Sequence, residues 1–143
     1  LDKYQIQPEH LILEITESTA IHHIESSIRT LERLRKLGIR IAIDDFGTGY
    51  SSFLYLKDLP IDELKIDRGF LIDLQPNSEE EAILESIIHL AAKLELVVTA
   101  EGVETQEQAD ILTHLGCNQL QGYLLGRPVN VENLVLNRTH NFT

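Results

Sequence analysis

The sequence has one cysteine, few cations and no long apolar run. A single thiol, Cys117, excludes an internal disulfide and any cysteine-rich metal centre, and its expected role is structural. Lys and Arg number 12 against 23 Asp and Glu, a formal net charge of -11 at pH 7. That balance excludes a surface that tracks a DNA or RNA polymer through clustered cations, although a small anionic ligand remains compatible if cations bridge it. No apolar stretch approaches the roughly 20 residues of a membrane helix, and the first residues lack a signal-peptide pattern, so the expected location is cytoplasmic. A length of 143 residues suits one domain, and a hydrophobic fraction of 43% supplies a core, which excludes wholesale disorder.

What is present is an alternation of strand and helix patterns. An alternating, largely β-branched and apolar run predicts a strand at residues 11–16, and further strands are expected at 39–43, 64–66, 97–100 and 119–124. A polar loop is expected after the first. Ile24, Ile28, Leu31, Leu34 and Leu37 then recur at helical spacing, with Gly38 as the left-handed stop. Residues 44–50 read as a loop with two glycines, and Ser51 or Ser52 as the cap of a short helix ending before Pro60. Ser78 with Glu81 predicts a capped helix whose inner face is Ile83, Leu84, Ile87, Ile88, Ala91 and Leu94. Thr105 with Gln108 predicts another, carrying Ala109, Leu112 and Leu115 inward and ending at Gly116. A short helix is expected near residues 131–136. Strands alternating with helices over the whole length imply an α/β fold with a parallel sheet, and no linker divides residues 1–143 into two domains.

Strand parity places polar residues together. Glu14, Asp44, Lys65, Glu101 and Gln121 each lie at or near the C-terminal end of a predicted strand. Singly, each has an ordinary reading: Asp44-Asp45 as turn chemistry, Lys65 as a snorkelling surface lysine, Glu101-Gly102 as a loop start. Jointly they point to one site, because parallel α/β folds assemble ligand sites at the carboxyl ends of their strands. Carboxylates converging there repel one another unless cations compensate, and an all-oxygen set suits Mg²⁺ or Mn²⁺ rather than zinc or copper. Adjacent His22-His23 point in different directions near a helix start and read as solvent-facing.

At these residues the sequence resembles the EAL family of bacterial cyclic di-GMP phosphodiesterases. The resemblance is carried by Leu13-Glu14-Ile15-Thr16-Glu17-Ser18, Asp44-Asp45-Phe46-Gly47-Thr48-Gly49-Tyr50, Leu64-Lys65-Ile66-Asp67, Ala100-Glu101-Gly102-Val103-Glu104 and Gln121-Gly122-Tyr123, in family order. It implies a TIM-type (β/α) barrel in which two Mg²⁺ or Mn²⁺ ions position water for hydrolysis of cyclic di-GMP to linear pGpG. Carried over by residue, Glu14 and Asp44 bind the first metal, Asp44 bridges to a second held by Asp45 and Glu101, Glu101 is the candidate general base, and Lys65 contacts the nucleophilic water or scissile phosphate. Glu17 tethers the loop over residues 45–52. Asp67, Glu104 and Gln121 support the metal or substrate rim.

The Glu-Ala-Leu motif that names the family is absent, as are a downstream asparagine ligand and a substrate-gripping arginine. The expected fold is therefore partial, about five β/α units from the C-terminal part of the barrel, with a weakened first metal site and low or no activity in isolation. Self-association through open sheet edges or the 45–52 loop is expected, as is an upstream sensor or cyclase domain in a longer protein. The competing reading is a regulatory module that binds cyclic di-GMP without cleaving it. A third is a scaffold that uses Phe46 and Tyr50 for metal-independent contacts.

Overall fold

The computed structural model describes residues 1–22, 24–47 and 55–133. Five strands form one parallel sheet in chain order: β1 (Ile12–Thr16), β2 (Arg40–Phe46), β3 (Glu63–Ile66), β4 (Val97–Glu101) and β5 (Gln119–Gln121). Helices α1 (Glu17–His22), α2 (Ile24–Arg35), α3 (Glu79–Lys93) and α4 (Gln106–His114) lie in the connections. The architecture is α/β, a segment of a (β/α) barrel wall. Parallel neighbours need crossovers of one hand, and strands taken in sequence order carry their helices to one face.

Register explains why the two faces differ. Glu14 stands beside Ala42, Ala42 beside Glu63, Lys65 beside Thr99, and Glu101 beside Gln121, so these residues share a face. The alternate positions, Ile41, Ile43, Leu64, Ile66, Val98 and Ala100, are all buried and form the core with Leu84, Ile87, Ile88 and Ala91 of α3 and Ala109, Ile111 and Leu112 of α4. Burial of that apolar layer stabilises the sheet, and the opposite face is left free to carry ionisable groups.

Side chains also fasten the strand starts. Asp62, just before β3, accepts from the Ile41 amide through Oδ2 and from Arg35 Nη2 through Oδ1, each at 2.9 Å. Asn118, just before β5, accepts the Val98 amide at 2.8 Å. Each acceptor stands in for the carbonyl that a longer strand would supply.

Several expectations hold: the left-handed Gly38 (φ +88) after α2, Gly116 (φ +85) after α4, the Ser78 cap of α3, and the reciprocal Thr105–Gln108 capping box. Others are corrected. Residues 17–22 form α1 rather than a polar loop, because Thr16 Oγ1 accepts the Thr19 amide at 3.4 Å and Ala20 is buried beneath the turn. β2 runs through Asp44, Asp45 and Phe46, which the glycine-rich sequence had suggested were loop. β5 stops at Gln121, as Gly122 and its successors turn back. Leu37 and Ile83 are exposed, Leu37 because it follows the end of α2 and Ile83 because it faces away from the core stripe. Glu81 returns its carboxylate to the Asn77 amide rather than to Ser78. The expected Ser51 or Ser52 cap lies outside the described residues, and the expected 131–136 helix is described only as a 3-10 turn at Val131–Asn133.

Glu17 fixes the exit of β2. Its carboxylate is buried, accepting from the Gly47 amide at 2.9 Å and from the Tyr55 hydroxyl at 2.6 Å, so it holds both flanks of residues 48–54. Gly47 has φ +97, and a Cβ there would meet the Phe70 ring at 2.1 Å. Only glycine fits this turn. Burial, then the hydrogen bond and charge of Glu17, push the Tyr55 hydroxyl well above its ordinary value.

The raised Tyr55 value means its stabilising contribution is present below about pH 10, the unfolded value, and is lost as pH rises through the folded one. An absorbance titration should therefore show one tyrosine ionising later than the rest, absent in Tyr55→Phe and moved down in Glu17→Gln. An unchanged curve in Tyr55→Phe contradicts the clamp. In denaturant melts, Leu84→Ala should lose about 2–5 kcal/mol through the cavity it leaves. Thr105→Ala should lose about 1 kcal/mol with its cap.

Candidate functional site

Lys65 is the centre of the polar face. Its side chain is buried to 8% exposure, and its Nζ lies 2.7 Å from Glu14 Oε1, 2.6 Å from Glu101 Oε1 and 3.5 Å from Asp44 Oδ1. Three strands deliver carboxylates to one ammonium on a fourth. Ala42, which stands in register beside Glu14, is small enough to leave the lysine a path across β2. Burial pulls the ammonium down, but the hydrogen bonds it donates to Glu101 and Glu14 and the charges of Glu101 and Asp44 together outweigh it and hold Lys65 above the ordinary lysine value.

The Asp44-Asp45 pair sits on a bulge. Ile43 faces Leu64 and Phe46 faces Ile66, so β2 holds one more residue than β3 over this stretch, and Asp45 takes a left-handed φ of 55°. Aspartate tolerates that conformation better than most residues, and bulges re-aim side chains next to functional sites. Simple alternation cannot describe both carboxylates.

A second polar layer lies one step toward the strand starts. Glu63 is buried, accepting from Thr99 Oγ1 at 2.6 Å and from Arg40 Nη2 at 3.4 Å, while Thr99 Oγ1 lies 3.3 Å from Gln119 Oε1. Sequence reading missed Glu63 and Thr99. The signal was available, since both share the parity of Lys65 and Glu101.

The supporting residues Asp67, Glu104 and Gln121 all lie at the cleft that Glu101 borders. Asp67 accepts the Gly69 amide at 2.8 Å and caps the 3-10 turn Arg68–Leu71. Glu104 and Gln121 are exposed and, with Glu101, Arg68 and Tyr123, line an open cleft of about 260 Å³ beside the lysine cluster. Arg127 covers the Tyr123 ring at 4.5 Å. Gly122 permits this edge to form, because a Cβ would meet the Val103 backbone at 2.1 Å. A larger cleft, about 470 Å³, lies at the strand starts near Arg35, Asp62 and Leu96, away from the carboxylates.

Among the described residues, no three Asp, Glu, His or Cys side chains converge closely enough to enclose a metal ion. The carboxylates converge on Lys65 instead. Asp44 Oδ1 is nevertheless buried with no hydrogen-bond partner among the described residues, although it lies within ion-pair range of Lys65. An orphaned carboxylate oxygen within an all-oxygen donor set fits a hard divalent cation. Among the described residues no helix is long and apolar enough to cross a membrane.

Comparison with known proteins agrees with the fold. The family model described as "EAL domain" matches residues 1–128. The chain is 54% identical over 133 residues to the bifunctional diguanylate cyclase/cyclic di-GMP phosphodiesterase MucR of Pseudomonas aeruginosa, covering 93% of this chain and 19% of that protein. It is 50% identical over 126 residues to the probable cyclic di-GMP phosphodiesterase PdeA of Escherichia coli, covering 88% and 17%. The chain therefore spans about a fifth of the length of these relatives. A solved PaMucR phosphodiesterase in complex with c-di-GMP superposes with a TM-score of 0.88 at 54% identity, over 94% of this chain and 55% of that one. Klebsiella pneumoniae BlrP1, solved with manganese and cy-diGMP, gives 0.84 at 34% identity over 90% and 33%. The chain belongs to the EAL domain family.

Proposed function

We propose that this chain supplies the C-terminal half of a cyclic di-GMP phosphodiesterase site, hydrolysing one phosphodiester to give linear pGpG. The observation that carries the reading is Lys65 set among Glu14, Asp44 and Glu101 at the carboxyl ends of four parallel strands. Glu14, Asp44, Asp45 and Glu101 would hold two divalent cations, Mg²⁺ or Mn²⁺, which when bound supply Lewis acidity and lower the pKa of an attacking water.

Glu101 takes the proton of the attacking water as its oxygen bonds to phosphorus. The opposite phosphorus–oxygen bond breaks, and the departing ribose oxygen gains a proton, so one water is consumed and one linear product forms. Lys65 holds negative charge at the phosphate as it develops. Glu17 keeps the exit of β2 in place, while Gln121 and Glu104 border the entry cleft. Asp67 acts through its cap on the turn that carries Arg68.

The second reading is a regulatory module that binds cyclic di-GMP without turnover. It is favoured by one observation, that the described carboxylates meet a lysine rather than a common metal position. We also propose self-association, because β1 and β5 each pair on one side only among the described residues and Ile12 on β1 is 38% exposed.

Cyclic di-GMP incubated with the protein and Mn²⁺ or Mg²⁺ should yield pGpG by chromatography at a low rate, with Asp44→Asn lowering that rate on the order of 100-fold. An equal rate in Asp44→Asn contradicts the hydrolytic reading. Nucleotide binding without product selects the regulatory module. Light scattering should give a mass above the monomer at working concentration, and a sharp monomer contradicts self-association.

A further inference from the structure

Lys65 occupies the point where the carboxylates meet, and this position conflicts with filling the site by another cation. Its ammonium is bonded to Glu14 and Glu101 at once and is within ion-pair range of Asp44. Glu14, Asp44 and Glu101 carry three formal negative charges against one positive, leaving a residual of two. That residual draws a divalent ion, but the oxygens such an ion needs are those that Lys65 engages. Two cations cannot share the same lone pairs at close range without strong repulsion.

From this geometry, and resting on the functional reading above, we propose that Lys65 is an internal counter-cation that holds the three carboxylates together and is displaced when a divalent cation binds. Displacement frees the ammonium from Glu14 and Glu101, so it becomes available to an anionic phosphate only once the carboxylates have a replacement partner. Substrate capture by Lys65 is thereby coupled to metal loading. The layer beneath supports such an exchange, because Glu63 already has Arg40 and Thr99 as partners and offers Lys65 no competing salt bridge among the described residues. Asp44 Oδ1, among the described residues the one buried side-chain acceptor without a hydrogen bond, is held only by the 3.5 Å ion pair to Lys65 and marks the side on which an incoming cation finds the weakest-held oxygen.

The proposal predicts that removing the ammonium strengthens metal binding. Calorimetric titration with Mn²⁺ should show Lys65→Met binding roughly tenfold or more tightly than the unsubstituted protein. Lys57→Met, at the cleft by the strand starts, should bind like the unsubstituted protein. In the unsubstituted protein, the Lys65 side-chain NMR signal, protected from exchange by its ion pairs, should shift and lose protection as diamagnetic Mg²⁺ is added. This second measurement decides the matter if Lys65→Met does not fold.

Equal or weaker Mn²⁺ binding by folded Lys65→Met, or a Lys65 signal that stays unchanged while Mg²⁺ binds, overturns the counter-cation proposal and leaves the phosphodiesterase reading standing. Absence of Mn²⁺ binding in both proteins overturns the two together.

Discussion

Like charges brought together at the end of a sheet must be compensated, and here a single ammonium offsets one of the three formal charges of Glu14, Asp44 and Glu101 and ties the three together. The arrangement depends on β3 lying inside the sheet, with β2 on one side and β4 on the other. It depends equally on register. A one-residue slip of β3 would turn Lys65 into the helix layer and bring Leu64 or Ile66 to the carboxylates. The apolar face prevents that slip, because Leu64 and Ile66 are fully buried against the core and their exposure would forfeit the burial of two large side chains. The site is therefore positioned by residues that take no part in its chemistry.

The same division of labour recurs at smaller scale. Asp62 and Asn118 complete strand hydrogen bonding before β3 and β5, and Glu63 with Arg40 and Thr99 fills the face beneath Lys65. A buried carboxylate with two donors is tolerable, whereas one left bare would be strongly destabilising. The carboxylates above it face a different constraint. Glu14 is 48% exposed and Asp44 retains an unbonded oxygen, features that forgo stability but keep ligand capacity. Glu17 joins the two regimes, since its buried carboxylate has no access to ligand yet fixes the strand end on which Asp45 and Asp44 are carried.

Much of this was legible in the sequence. Period-two alternation marked the strands, glycines marked the ends of α2 and α4, and the Thr105–Gln108 pair marked the start of α4, because these signals act locally. The convergence of Glu14, Lys65 and Glu101 was legible from parity. The bulge was not, since Asp44-Asp45 before Gly47 has the composition of a turn and only pairing with β3 extends the strand through it. α1 escaped notice because six residues give too short a period, and its stability comes from Ala20 packing rather than from propensity. The bond from Tyr55 to Glu17 links residues 38 positions apart and leaves no local trace. Asp67 and Glu104 were placed by resemblance; both line the cleft beside Glu101, and Asp67 also caps the turn that follows it.

The claim that one lysine balances the site is tested most directly by the urea midpoint of Lys65→Met in metal-free buffer. The account predicts a loss of about 1–3 kcal/mol, less than a fully buried pair would give because Glu14 is half exposed. Added Mn²⁺ should narrow that gap by binding the folded state. A metal-free midpoint equal to that of the unsubstituted protein would show that the carboxylates do not need the ammonium, and would contradict the account at its centre.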